Sequence, residues 1–175
     1  MKLNKIMLAA AMVFGVSSLA NAADQGHGKV TFSGSIIDAP CSIAPESEDQ
    51  TVKLGAISNV ALKGGGKSPA RSFDIQLENC QLSTKKTVSL TFTGSTSAVD
   101  SKLLAISGTA KGAGIAITDE NGTQIELGKA STPRTLLDGN NTLSFSAYLQ
   151  GDKASGATIV PGEFQSVADF TLAYQ

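Results

Sequence analysis

The last fourteen residues, Gly162 to Gln175, alternate between apolar and polar with almost no error. Phe164, Ala168, Phe170, Leu172 and Tyr174 fall on one face with Ser166 among them; Glu163, Gln165, Asp169, Thr171 and Gln175 dominate the other. Side chains of a strand point to opposite faces with a period of two, so the pattern predicts a half-buried β-strand over 162–175. A second alternating run, Val30, Phe32, Gly34 and Ile36, precedes the first cysteine. A strong strand near each end, the first on a glycine-containing lead, is an arrangement suited to lending a strand to a neighbour.

The first residues read as an address rather than as structure. Lys2 and Lys5 form a basic start, Ile6 to Val16 an apolar core, and Ala20-Asn21-Ala22 a small-x-small cleavage site. Cleavage is expected after Ala22, with Ala23 as the close second choice, giving a signal peptide over 1–22. The apolar run is too short for a spanning helix, and no later segment approaches 18 apolar residues. The mature chain is therefore expected to be exported and soluble. Losing two lysines leaves 12 basic residues against 15 acidic ones, a net charge of −3. That balance gives no electrostatic reason to expect a nucleic-acid partner.

What remains is about 153 residues, one domain by length. Tryptophan is absent and glycine numbers 18, which with the Val, Ile, Thr and Ser content favours short strands and many turns. No segment beyond the signal sustains a 3.6-residue apolar period, so the chain reads as all-β. Strands are predicted at Thr51–Leu54, Phe73–Leu77, Val88–Phe92, Ile115–Ile117, Ile125–Leu127 and Leu143–Leu149, with a short buried run at Leu103–Ile106. Gly64-Gly65-Gly66 marks a loop tip. Asn121-Gly122 predicts a type I′ hairpin, which needs two positive φ angles. Seven or more short strands with regular turns point to an immunoglobulin-like sandwich.

Cys41 and Cys80 would meet an oxidising compartment after export, and a disulfide is the expected outcome. It closes a loop of about 40 residues, a constraint of roughly 4 kcal/mol in the chain-entropy treatment. The rival reading is a metal or redox pair. Two cysteines and one histidine cannot complete a four-ligand zinc site, and there is no C-x-x-C.

Other chemical signals have plainer explanations. Gly66-Lys67-Ser68 matches the tail of a phosphate loop, but Ala61 stands where that motif requires glycine. A catalytic base needs packing and a third group to hold it, and the sequence around His27, between Gly26 and Gly28, points instead to a linker position. Asp119-Glu120 beside Asn121 lacks the remaining spacing of a calcium loop. The sequon triplets at Asn121 and Asn140 arise readily in turn-rich sequence. No catalytic site, metal site, cofactor or small-molecule ligand is expected.

Taken in order, the signal peptide, the V-x-F-x-G-x-I run from Val30 to Ile36, Asp38-Ala39-Pro40-Cys41-Ser42-Ile43, and Gln76-Leu77-Glu78-Asn79-Cys80 form a recognisable series. Gly162, fourteenth from the end, and the penultimate Tyr174 complete it. The chain resembles, over essentially its whole length, the major pilins of Gram-negative chaperone–usher fimbriae, of the P-pilus and mannose-resistant fimbrial type. The resemblance implies an incomplete immunoglobulin-like sandwich lacking its seventh strand, with a hydrophobic groove beside the C-terminal strand. A periplasmic chaperone is expected to fill that groove and clamp the terminal carboxylate of Gln175. At the outer-membrane usher, the N-terminal extension of the next subunit would replace it by donor-strand exchange.

On this reading residues 23–37 are the donor extension and 38–175 the pilin domain. Val30, Phe32, Gly34 and Ile36 form the donor strand. Gly162, Phe164, Phe170, Leu172, Tyr174 and Gln175 form the groove edge and chaperone-binding strand. Partners would be further copies of the subunit, the chaperone, the usher and minor or tip pilins. The destination would be the cell surface, in a fimbrium that supports adhesion. Two alternatives remain at this level: a minor adaptor pilin of the same system, and a secreted β-sandwich binding module.

Overall fold

A computed structural model describes residues 27–154 and 157–175; the signal peptide expected over 1–22 lies outside them. The chain divides into a segment ending at Ile36 and a compact unit spanning Ile37–Gln175. In the first, residues 27–36 form no strand, and Val30, Phe32 and Ile36 are exposed, Phe32 at 90%.

The compact unit begins with β1 (Ser42–Ile43), followed by single-turn helices α1 (Pro45–Glu48) and α2 (Asn59–Leu62), the latter running into a 3-10 turn at Lys63–Gly65. Then come β2 (Arg71–Cys80), β3 (Thr87–Gly94), β4 (Leu104–Ala105), β5 (Ser107–Gly108), β6 (Ala113–Asp119) and β7 (Arg134–Thr135). β8 (Gly139–Gly151), β9 (Phe164–Gln165) and β10 (Ala168–Tyr174) complete the chain. One sheet has the order β1-β2-β8-β6-β4, a second β10-β3-β7, and β5 pairs with β9. Each of these ladders is antiparallel.

The core lies between the two larger sheets, as period-two strands require when one face of each is apolar. Ile75 and Leu77 of β2, Ile117 of β6, and Leu143 and Phe145 of β8 meet Val88, Leu90 and Phe92 of β3. At the centre the Phe92 ring lies edge-on to Phe145 at 5.2 Å, and Phe73 stacks on Phe145 at 5.7 Å. Such pairs add about 0.5–1.5 kcal/mol beyond area burial. Cys41 and Cys80 are bonded, tying the start of β1 to the end of β2. Asn141 Nδ2 donates to Cys80 Sγ at 3.3 Å, and the backbone N–H of Gln81 donates to Pro40 O at 2.9 Å.

Three local expectations need correction. Thr51–Leu54 joins no ladder; Leu54 and Ile57 instead pack on a second cluster around Leu62 and Leu149. Ile125–Leu127 likewise joins no ladder, and its approach to β6 is reduced to an isolated bridge between Thr118 and Gln124. The turn between them is not type I′. Only Gly122 has positive φ, at 78°, while Asp119 Oδ1 accepts from Asn121 N–H at 3.0 Å and from Thr123 N–H at 2.8 Å. A carboxylate holding the turn in this way stabilises a three-residue loop closed by one left-handed glycine, so Asn121 need not adopt positive φ.

The Gly66-Lys67-Ser68 stretch is structural. A Cβ on Gly66 would lie 2.0 Å from Ala61 O, Lys67 Nζ sits 4.8 Å from the Tyr148 ring centroid, and Ser68 Oγ accepts from Leu149 N–H at 3.0 Å.

Candidate functional site

The expected strand over 162–175 is two strands. Phe164 and Gln165 pair with β5, while Ala168–Tyr174 pairs with β3. Between them, Ser166 Oγ donates to Ala105 O at 2.7 Å, so the chain is held across the change of partner. The side-chain alternation survives the break without a fault: Phe164, Ser166, Ala168, Phe170, Leu172 and Tyr174 are all half-buried, and each intervening residue is exposed.

β10 ends its sheet, and its backbone pattern fixes what that leaves open. Gln175 N–H donates to Thr87 O at 2.9 Å, and Thr87 N–H donates to Gln175 O at 3.0 Å. Such doubly bonded pairs recur every second residue in an antiparallel ladder. With the observed register, Ala173–Ser89, Thr171–Thr91 and Asp169–Thr93 are the bonded pairs. The N–H and C=O groups of Ala168, Phe170, Leu172 and Tyr174 therefore point away from β3, towards a side where no strand pairs among the described residues. These same four residues carry the inward side chains.

Burial shows the same deficit. Tyr174, Leu172 and Phe170 stand directly opposite Val88, Leu90 and Phe92. The β3 residues are 0%, 0% and 3% exposed, whereas their β10 partners are only half-buried. Both sets pack on the same core, so the cover is missing on the outer flank of β10. The first sheet also ends at a strand paired on one side only among the described residues, the two-residue β1, whose Ile43 is half-buried against that core. An open edge beside uncovered apolar side chains is a template for a further strand.

The Tyr174 hydroxyl is buried and has no hydrogen-bond partner among the described residues, and its burial pushes the phenol above its ordinary value of 10.0. Gln175 is held from within: its O also accepts from Lys86 N–H at 2.8 Å and from Thr87 Oγ1 at 3.3 Å. Gly162 lies away from the free edge. A Cβ there would come within 2.4 Å of Thr109 Oγ1 and 2.6 Å of Ala110 N. The close approach allows Glu163 O to accept from the N–H groups of Thr109 and Ala110 at 3.0 and 3.1 Å. Phe164 packs on the second cluster.

Of the residues expected at the groove, then, Phe170, Leu172 and Tyr174 share the open edge, while Gly162 and Phe164 anchor the approach to it. Ile43 and Phe73, half-buried against the same core, were not singled out from sequence. The alternation of Phe73–Leu77 marks Phe73 as one face of a strand, but nothing in the sequence marks the cover of either residue as incomplete. Gly34, in the segment ending at Ile36, has nothing within 4 Å of where a Cβ would stand. Among the described residues no group of His, Cys, Asp and Glu could hold a metal.

Comparison with known proteins adds the lineage. The family described as fimbrial protein matches residues 30–175. The chain belongs to the fimbrial protein family. It is 71% identical over 175 residues to the Fimbria A protein of Serratia marcescens, covering all of both chains. It is 54% identical over 177 residues to the Major MR/P fimbria protein of Proteus mirabilis, again covering both completely. The P pilus rod subunit PapA aligns with a TM-score of 0.71 at 34% identity, over 78% of this chain and all of that one. A chaperone–usher pilus subunit whose structure addresses rod uncoiling aligns at 0.77 and 38%, over 86% and 97%. The chain is thus a structural fimbrial subunit of the rod-forming kind, not an enzyme. Its fold is the immunoglobulin-like sandwich short of one strand.

Proposed function

We propose that the outer edge of β10 is an acceptor for a strand given in trans, and that residues 23–37 are the donor that another copy gives. The observation that carries this is the coincidence, on Ala168, Phe170, Leu172 and Tyr174, of unpaired backbone groups and incompletely covered side chains. A donor with alternating apolar residues satisfies both at once, through ladder hydrogen bonds and side-chain burial. Val30, Phe32 and Ile36 provide such a series and are exposed in the lone chain. If fully buried, each contributes roughly 1.5–3 kcal/mol. Gly34 marks a position where the acceptor leaves no room for a side chain.

In the same proposal residues 1–22 direct export and are removed, and residues 38–175 form the acceptor domain. A periplasmic chaperone occupies the β10 edge first and engages Gln175. The outer-membrane usher then brings in the donor of the next subunit, and minor or tip pilins join by the same edge. The experiment is to purify the mature protein with and without residues 23–37 and follow its size and heat stability in detergent. High-mass species that dissociate only on strong heating, and that vanish with the truncation, are expected. A stable monomer indifferent to the truncation would overturn the proposal and point to a complete sandwich.

A further inference from the structure

The β10 edge also constrains the alignment of its occupant, and that alignment reaches beyond the inward-facing residues. Every ladder described in this molecule is antiparallel, and four inward positions on β10 face four on the donor. Aligned antiparallel with all four in use, Val30 lies opposite Tyr174, Phe32 opposite Leu172, Gly34 opposite Phe170 and Ile36 opposite Ala168. Glycine then meets the phenylalanine, and isoleucine meets the alanine. A parallel alignment would set Phe32 beside Phe170 and Ile36 beside Tyr174, opposing large side chains at two of the four positions. Shifting the antiparallel one by two residues either opposes Phe32 to Phe170 or leaves Val30 beyond Tyr174.

Continuing the favoured alignment by one residue brings Ile37 opposite Val167. Both are exposed, at 54% and 65%, and neither packs on a core cluster of its own chain. The bonding pattern of β10 strengthens the match. Inward residues would form the hydrogen-bonded pairs with an incoming strand, so outward residues, and by continuation Val167 immediately before β10, would fall at non-bonded pairs, where Cα atoms approach to about 4.5 Å and side chains touch. We propose that Ile37 of one subunit and Val167 of the next form an apolar clasp on the outer face that fixes the register of strand exchange. The proposal rests on the donor-strand reading above.

The test is cross-linking between Ile37→Cys in one population of subunits and Val167→Cys in another, co-assembled and run without reducing agent, each population alone serving as control. Non-bonded pairs lie in the Cα range that disulfides accept, 4.4–6.8 Å by general geometry. Covalent dimers that survive heating are expected, and Ile37→Ser should dissociate up to about five-fold faster, as the loss of one cross-strand apolar pair predicts. Cross-linking of Val167→Cys to Ser35→Cys instead, or to neither within otherwise normal polymers, would overturn the register while leaving strand donation standing. Failure of the wild-type chain to polymerise at all would overturn the donor-strand reading itself.

Discussion

Replacing Phe32 by alanine separates the two states in which this residue can exist. In the lone chain Phe32 is 90% exposed, so its truncation removes no burial and should shift monomer stability by less than about 0.5 kcal/mol, the usual range for such surface sites. In the polymer the ring would cover the half-buried Leu172 on the open flank of β10. Transferring a phenylalanine from water to full burial is worth roughly 1.5–3 kcal/mol. At about 1.4 kcal/mol per factor of ten, each subunit junction should weaken by between roughly 12- and 150-fold. Interface substitutions act mostly on dissociation, so the assay is the rate at which polymers release monomer in detergent at fixed temperature, beside thermal melts of the monomer. Polymers that dissociate at the wild-type rate would refute Phe32 as a buried knob. A monomer that melts several degrees lower would refute the premise that the ring is idle in the lone chain.

Gly34→Leu should block polymer formation while leaving the chaperone complex recoverable; normal fibres from this variant would remove the idea of a shallow slot. Replacing Cys41 and Cys80 by serine opens a loop with a sequence separation of 39 and should lower monomer stability by about 4 kcal/mol, measured by urea unfolding. A loss under 1 kcal/mol would mean that the ladder between β1 and β2 suffices. Glu126 is held at about 2, below its ordinary 4.5, by hydrogen bonds from Lys102 and Lys129 and by their charges. A lowered folded pKa means that its contribution is present above 4.5 and is lost as pH falls towards about 2. Glu126→Gln should therefore flatten the melting-temperature profile only within that window, and weakly, since the group is on the surface; identical profiles would show the cluster to be inert.

The legible parts of this fold were those that depend on a single strand. The alternation from Phe164 to Tyr174 holds at every residue, because side-chain direction in an extended chain follows from local geometry alone. The illegible parts depended on a second segment. The strand changes partner near Ser166 because β5 and β3 take successive stretches of it, and no residue in 162–175 announces that. Thr51–Leu54 has a strand's composition but no neighbour to pair with. At Asn121-Gly122 the dipeptide marks a turn, but the Asp119 carboxylate decides its type. Phe73 is legible as part of an alternating strand, but the incomplete cover of Phe73 and Ile43 is not.

The same distinction explains why the site could be located from sequence only through family likeness. A period-two pattern reports which side chains turn inward; it carries nothing about whether the backbone has a neighbour on one side or two. Leu90 and Leu172 are both leucines in alternating strands, and they lie directly opposite each other. One is fully buried and the other is not, because β3 at Leu90 has β10 on one side and the Ala130–Ser131 stretch bonded to it on the other, while β10 is last in its sheet. Nothing in either residue differs; the sheet order does. The functional property of β10 is therefore a property of topology. The chain's last strand is paired through the odd-numbered residues from Asp169 to Gln175, and the even-numbered residues keep both an inward side chain and backbone groups turned away from β3, which is what the proposed donor strand would need.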